Sequence, residues 1–232
     1  MKKGYNEHLF NGPSIRRFYH MARFRWIKQI IENQSIATTR IIELGCYDCR
    51  LLNHLPHKPE RYVGVDANVE GGLSLARSKL DGDENISLIE TRTPLPLEDI
   101  ENNFFDTAIT METLEHIPPE ILESYLSQLH RTTKHHLVAT VPNEKGLVFL
   151  SKFLAKKAML REKSGHEYAP MEVVNATLGR MKKVARDEHK GFDYQDTVRL
   201  ISKYFKVEGV FGIPFSYIPA SLNPTIGILA KK

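Results

Sequence analysis

An α/β domain of Rossmann type, seven strands with helices on both faces of the sheet, is the fold class that the sequence predicts, and three observations predict it. The first is the stretch 41–66, which opens IIELGCYDC and closes YVGVD. A short apolar strand ends at Glu43, turns at Gly45, passes a brief helix near 50–54 and gives way to a second apolar run that stops on Asp66. One strand–turn–helix–strand unit with an acid about 20 residues beyond a glycine turn is a nucleotide-binding unit: backbone N–H groups approach the ligand, and the acid accepts from both ribose hydroxyls. The second observation is three further apolar runs, 86–90, 105–111 and 137–143, alternating with stretches of helical period. The third is a closing pair of strands, 204–211 and 225–230, behind a helix-like 192–202.

Composition bounds the problem without solving it. A chain of 232 residues, 41% hydrophobic and 26% charged, suits one α/β domain spanning 1–232. A net charge of +4 is too mild to prove a polyanionic partner. No apolar run is long enough to span a bilayer, and Met1-Lys2-Lys3-Gly4 is not followed by a signal-peptide core, so a cytoplasmic protein is expected. The two cysteines, Cys46 and Cys49, spell C-x-x-C. No second pair exists to complete a zinc site and both fall inside the turn, so they read as small turn residues, with a redox pair as the alternative.

The elements follow in order. Segment 13–33 reads as a leading helix with Ser14 as its N-cap and Ile15, Phe18, Tyr19, Ala22, Trp26 and Ile30 as its apolar stripe. Arg16, Arg17, Arg23, Arg25 and Lys28 then form a solvated basic face, or else a phosphate- or membrane-contacting one. Gly71-Gly72 leads into a helix over 73–80, and Pro118-Pro119 starts one whose Ile121, Leu122, Tyr125, Leu126 and Leu129 make a core stripe. Residues 144–190 interrupt the alternation with an apolar, lysine-dotted 147–160 and a helical, basic 171–185. This insertion is read as an acceptor-binding lid above the sheet edge, with extra packing helices or a membrane-facing amphipathic helix as the other readings.

Several of these segments resemble class I S-adenosylmethionine (SAM)-dependent methyltransferases. Their first motif is an acid followed by G-x-G-x-G; here Glu43 and Gly45 fit, while Tyr47 and Cys49 stand at the second and third glycines. FDTAITMETLEHI, 105–117, is similar to the family's fourth strand and the turn after it, and VPN at 141–143 to the end of its fifth. TRTPLPL, 91–97, is similar to the loop that touches adenine, with Thr91 in place of the usual acid. The resemblance implies a last strand that enters antiparallel. It implies that SAM is held by Glu43, Gly45, Cys46, Tyr47, Asp66, Ala67, Thr91, Met111 and Glu112. A NAD-dependent dehydrogenase is the competing reading of the turn, but its glycine pattern would continue into the helix, and LEHI and VPN would have no role.

Methyl transfer from a sulfonium needs alignment and dryness more than activation of the leaving group. A hydroxyl acceptor also needs a base or a Lewis acid to take its proton. His116 and His189 are the candidate catalytic groups. Glu112-Thr-Leu-Glu115-His116 supplies hard ligands suited to Mg, or with imidazole to Mn or Zn. An E-x-x-E-H of this kind appears in small-RNA 3′-terminal 2′-O-methyltransferases, where a later histidine completes a metal site. The run 187–194, DEHKGFDY, looks similar and implies a metal set of Glu112, Glu115, His116 and His189. The same motif also resembles ubiquinone-pathway O-methyltransferases, and in metal-free relatives the histidine lines the acceptor pocket. His166 reads as a lid or surface residue and the pair His135-His136 as exposed ahead of a strand. The expected function is O-methylation of a small-molecule, glycan or lipid-linked acceptor. RNA ribose methylation, with peripheral membrane contact left open, and a SAM-binding module without turnover are the alternatives.

Overall fold

The computed structural model describes residues 14–159, 168–187 and 189–232, and within them the seven predicted strands form one sheet. In chain order the elements are α1 (Ser14–Asn33), β1 (Arg40–Leu44), β2 (Arg61–Asp66), α2 (Gly72–Lys79), β3 (Ile86–Glu90), β4 (Phe105–Met111) and α3 (Pro119–Thr132). There follow β5 (Thr133–Pro142), α4 (Gly146–Met159), α5 (Pro170–Thr177), α6 (Tyr194–Ile201), β6 (Lys206–Ile213) and β7 (Thr225–Lys231). The strand order is β3-β2-β1-β4-β5-β7-β6, parallel except for β7, which runs antiparallel to both neighbours, as the resemblance implied. Strands 1 to 3 step one way and strands 4 and 5 the other, so the order reverses between β1 and β4. That reversal leaves a crevice at the carboxyl ends of the two strands, the place where open α/β sheets hold ligands.

Alternation along the strands divides the core between two faces. Ile42 and Leu44 of β1 point to a cluster with Leu126 and Leu129 of α3 and Phe205, whereas Ile41 points to one with Trp26, Ile27 and Ile30 of α1 and Leu73 of α2. The inward side of α1 is Ala22, Phe24, Trp26, Ile27, Ile30 and Ile31, while Phe18 and Tyr19 of the expected stripe are 42% and 40% exposed. The other stripe member, Ile15, and the histidine His166 lie outside the described side chains.

Other boundaries move for physical reasons. Strand β5 starts at Thr133, so His136 sits in the sheet opposite Thr107 rather than ahead of it. The basic helix expected over 171–185 breaks after Thr177: Gly179, at φ 71°, takes the left-handed turn that ends helices, and a single 3-10 turn, Met181–Lys183, follows. The insertion builds a small core of its own, Phe149, Ala176, Met181 and Val184 packed with Phe153, Tyr168 and Val173. It leaves Leu147, Leu154, Met171 and Leu178 exposed on its outer side. No helix among the described residues is long and apolar enough to cross a membrane.

Candidate functional site

The crevice between β1 and β4 is shaped by one bend. Gly45, at φ 78°, donates its N–H to the Val65 carbonyl at 2.7 Å, and Cys46 donates to the same oxygen at 3.2 Å. A Cβ on Gly45 would lie 1.9 Å from Thr113 Oγ1 and 2.4 Å from its Cγ2, so the bend and the loop after β4 are in direct contact. Tyr47 and Cys49, which occupy the second and third glycine places of the resembled motif, are also left-handed, at φ 46° and 55°. The backbone path thus survives the loss of the glycines, at a cost of about 1–2 kcal/mol for each non-glycine residue held there. Gly45→Ala adds a clash to a forbidden φ and is expected to destabilise the fold by about 2–5 kcal/mol. Urea denaturation of Gly45→Ala, alone and with Thr113→Ala, checks this: the second change should recover the steric part only.

Asp66 clamps the bend from the end of β2. Its Oδ2 accepts from the Tyr47 N–H at 3.0 Å and its Oδ1 from the Asn68 N–H at 2.7 Å. Each carboxylate oxygen has a further lone pair to offer. Ala67 follows it, half-buried, and the Tyr47 ring packs against Gly72. Thr91, at the end of β3, donates its N–H to the Asp66 carbonyl at 2.9 Å. Its hydroxyl is committed to its own turn, donating to the Thr93 carbonyl at 2.8 Å and accepting the Thr93 N–H at 3.1 Å. Glu43 is buried beneath the bend and accepts a hydrogen bond from Tyr62 Oη. Burial holds its carboxyl well above the usual carboxylate range, against the pull of that bond.

Beyond β4 the chain turns sharply, with Met111 half-buried and Glu112 at φ 50°. Glu115, His116 and His189 bring one ligand atom each within 4.8 Å of one another, although His189 is 73 positions further along the chain. The two imidazole rings stand edge to face at 4.5 Å between centroids, and His116 Nε2 is 4.0 Å from Glu115 Oε1. Glu112 is not one of this group, and of the four metal ligands implied by the resemblance the structure gathers three. Glu112, with its left-handed backbone, lies outside the group, yet its charge still reaches Glu115.

The electrostatics of the cluster are those of an underpaired acid. Among the described residues, both Glu115 oxygens are buried without a hydrogen-bond partner, and the same holds for His189 Nδ1. Burial, then repulsion from Glu112, raises the Glu115 carboxyl well above its ordinary range. Burial, then the neighbouring His116 and the charges of Lys152, Lys156 and Arg186, pushes His189 down to about 3, so that ring is neutral at physiological pH. Glu112 is raised by burial and pulled back by Arg23 and Lys152.

Three of these cations were not singled out from the sequence as site residues. Arg23 was assigned to the solvated face of α1; its Nε is buried, and its charge acts on both glutamates. Lys152 of α4 donates to Glu144 Oε1 at 2.6 Å and to the Asn143 carbonyl at 3.0 Å. Arg186 donates from Nη2 to the Glu115 carbonyl at 2.5 Å. The signal was there: two carboxylates in one buried turn require cations nearby.

Residues 42–136, from β1 into β5, match the family described as Methyltransferase domain. No curated protein matches the chain. Among solved structures it is similar to the methyltransferase domain of bacterial CtHen1, at 18% identity and TM-score 0.58, covering 92% of this chain and 100% of that one. It is also similar to a SAM-dependent methyltransferase from Clostridium acetobutylicum, at 14% identity and TM-score 0.61 with 98% of each chain covered. The N-methyltransferase NodS from Bradyrhizobium japonicum aligns at 10% identity and TM-score 0.57 over 92% of this chain and 96% of its own. At such identities the likeness carries the fold. The family match is seated on the strands that frame the crevice, and the fold around it is that of solved SAM-dependent methyltransferases.

Proposed function

We propose that the protein transfers the methyl group of SAM to a hydroxyl oxygen of a small-molecule, glycan or lipid-linked acceptor. The observation that carries this is the Glu115–His116–His189 cluster beside the β1/β4 crevice, with a buried carboxyl that has no hydrogen-bond partner among the described residues. A hydroxyl must lose a proton as its oxygen is methylated, and the cluster offers a buried carboxyl and two imidazoles to take it. Asp66 would hold the ribose with its free lone pairs, the Gly45 bend the methionine end, and Met111 and Glu112 the side facing the acceptor. The packed insertion of α4 and α5 follows β5 directly and is suited to keeping water from the transfer.

The donor set also fits a divalent ion. One orphaned carboxylate and two imidazoles, one of them held neutral, form a His2Glu set of the type that binds Zn or Mn. When bound, such an ion would supply Lewis acidity that lowers the pKa of an acceptor hydroxyl. In the chain itself, Glu115 and His189 orient the hydroxyl, and His116, 45% exposed on its side chain, passes the proton to solvent.

The test is calorimetric titration of chelator-stripped protein with Mn²⁺ or Zn²⁺, with SAM-driven methylation followed on panels of hydroxyl acceptors. Metal uptake by the wild type, lost in His189→Ala with the fold intact, and metal-dependent methyl transfer to oxygen are the expected results. Uptake unchanged in His189→Ala, or transfer to nitrogen alone, would overturn the proposal. A second reading, RNA ribose 2′-O-methylation, is favoured by the joining of the E-x-x-E-H turn to a distant histidine. Acceptor binding that falls steeply with salt would select it, because each neutralised phosphate releases counterions. SAM affinity without transfer to any acceptor would leave a binding module.

A further inference from the structure

We infer that Cys49 is a thiol–disulfide exchange site, taking an anionic low-molecular-weight disulfide of the glutathione type from the cavity beside it and resolving onto Cys46. The cavity, about 560 Å³, lies between the first turns of α1, the bend after β1 and the end of α2. Among the described residues, Cys49 lines it together with Arg17, Arg50, His54, Lys79 and one acid, Asp48. Asp48 is already paired with Arg50 at 3.4 Å, so the surplus of charge facing the opening is positive. A disulfide bearing carboxylates is drawn to such a wall.

The two cysteines are joined by one tight turn. Both cysteines are free and buried, and the Cys49 N–H donates to the Cys46 carbonyl at 2.7 Å, closing the four residues into one turn. Only one of the two reaches the cavity: Cys49 is part of its lining and Cys46 is not. The neighbouring Cys46 also holds Cys49 below the ordinary thiol range, against burial and the charges of Asp48 and Asp66. Cys49 therefore attacks, and Cys46 resolves.

The reaction balances without other reagents. The Cys49 thiolate attacks one sulfur of the small disulfide, forming a mixed disulfide and releasing one small thiolate. Cys46, its proton lost to that leaving thiolate, attacks the Cys49 sulfur and releases the second. The protein loses two hydrogens and the disulfide is reduced to two thiols. The new bond spans the segment whose Tyr47 N–H is tied to Asp66 at 3.0 Å, so oxidation pulls on the clamp of the crevice.

Intact-mass measurement of the native full-length protein incubated with glutathione disulfide tests the exchange. Loss of two hydrogens in the wild type, a stable glutathione adduct in Cys46→Ser and no reaction in Cys49→Ser are expected. An unmodified wild type, a persistent adduct on it, or adduct formation in Cys49→Ser at the wild-type rate would overturn it. Thermal melts of both variants establish that they are folded when assayed. The effect on the crevice rests on the cofactor reading and is measured separately: S-adenosylhomocysteine affinity should fall by about 5–150-fold on oxidation and return with reductant. Unchanged affinity would refute that coupling and leave the mass result standing.

Discussion

Replacing Glu115 with glutamine is expected to make the metal-free protein more stable at pH 8 while removing one ligand of the proposed metal set. Glu115 is buried with both oxygens unpartnered, and its folded-state pKa is raised, first by burial and then by Glu112. For an acid whose folded pKa is raised, the folded state binds more protons than the unfolded one above the ordinary pKa. Stability therefore falls as pH rises from the unfolded value of about 4.3 through the raised one. Glutamine carries no such loss. Wild type and variant should be alike near pH 4 and separate as pH rises, by about 1–3 kcal/mol, the cost of an unsatisfied buried polar group. For a chain of this size that is a shift of a few degrees in Tm, about 2–4 °C for each kcal/mol. Arg23 and Arg186 limit the gap by partly compensating the carboxylate, and they do so without removing it. Saturating metal should reverse the order, because an ion that binds only the folded wild type adds stability by mass action. Urea denaturation at pH 4.5, 6 and 8, with chelator and then with Mn²⁺ or Zn²⁺, reads all of this. A variant less stable than wild type at pH 8 in chelator, or a gap that does not change with pH, would sink the view of Glu115 as an acid held in place for a cation.

The scaffold was legible because each of its parts is written locally. Seven apolar runs of the right length, a glycine at the first bend and an acid ending the second strand give the sheet and its crevice, and the antiparallel β7 came with the family resemblance. What was not legible depends on partners distant in sequence or on single backbone torsions. Nothing in the tripeptide Tyr47-Asp48-Cys49 announces that two L-residues will sit at positive φ; they do so because Asp66 and Val65 hold the bend from the neighbouring strand. Glu112 and Glu115 are spaced alike in a ligand motif, yet only Glu115 lies beside the two histidines. The arginines of α1 look equivalent along the helix, and only the position of the acid pair distinguishes Arg23 from its neighbours. Gly179 was visible, and weighing it would have ended α5 where it ends.

The largest expected effect on the cofactor belongs to Asp66→Ala. The wild-type carboxylate ends β2 at the topological switch with lone pairs beyond those that cap Tyr47 and Asn68, and hydrogen bonds to a charged group are worth about 1.5–3 kcal/mol each. Loss of two such bonds to the ribose is about 3–6 kcal/mol, a fall in S-adenosylhomocysteine affinity on the order of 10²–10⁴-fold. The same change frees the Tyr47 and Asn68 N–H groups, which Asp66 caps at 3.0 and 2.7 Å, so part of any loss could come from a loosened bend. Asp66→Asn separates the two causes. Its side-chain oxygen can still cap one N–H, but the amide has lost the charge and one acceptor position that a ribose would use. If ribose binding is the role, Asp66→Asn should resemble Asp66→Ala in calorimetry while keeping a melting temperature close to wild type. If the carboxylate serves only to brace the bend, affinity should track stability across the two variants, with Asp66→Asn recovering much of both. Wild-type affinity in Asp66→Ala would place the nucleoside elsewhere along the strand ends, and Thr91, whose hydroxyl is already committed within its own turn, could not take over the role by side chain.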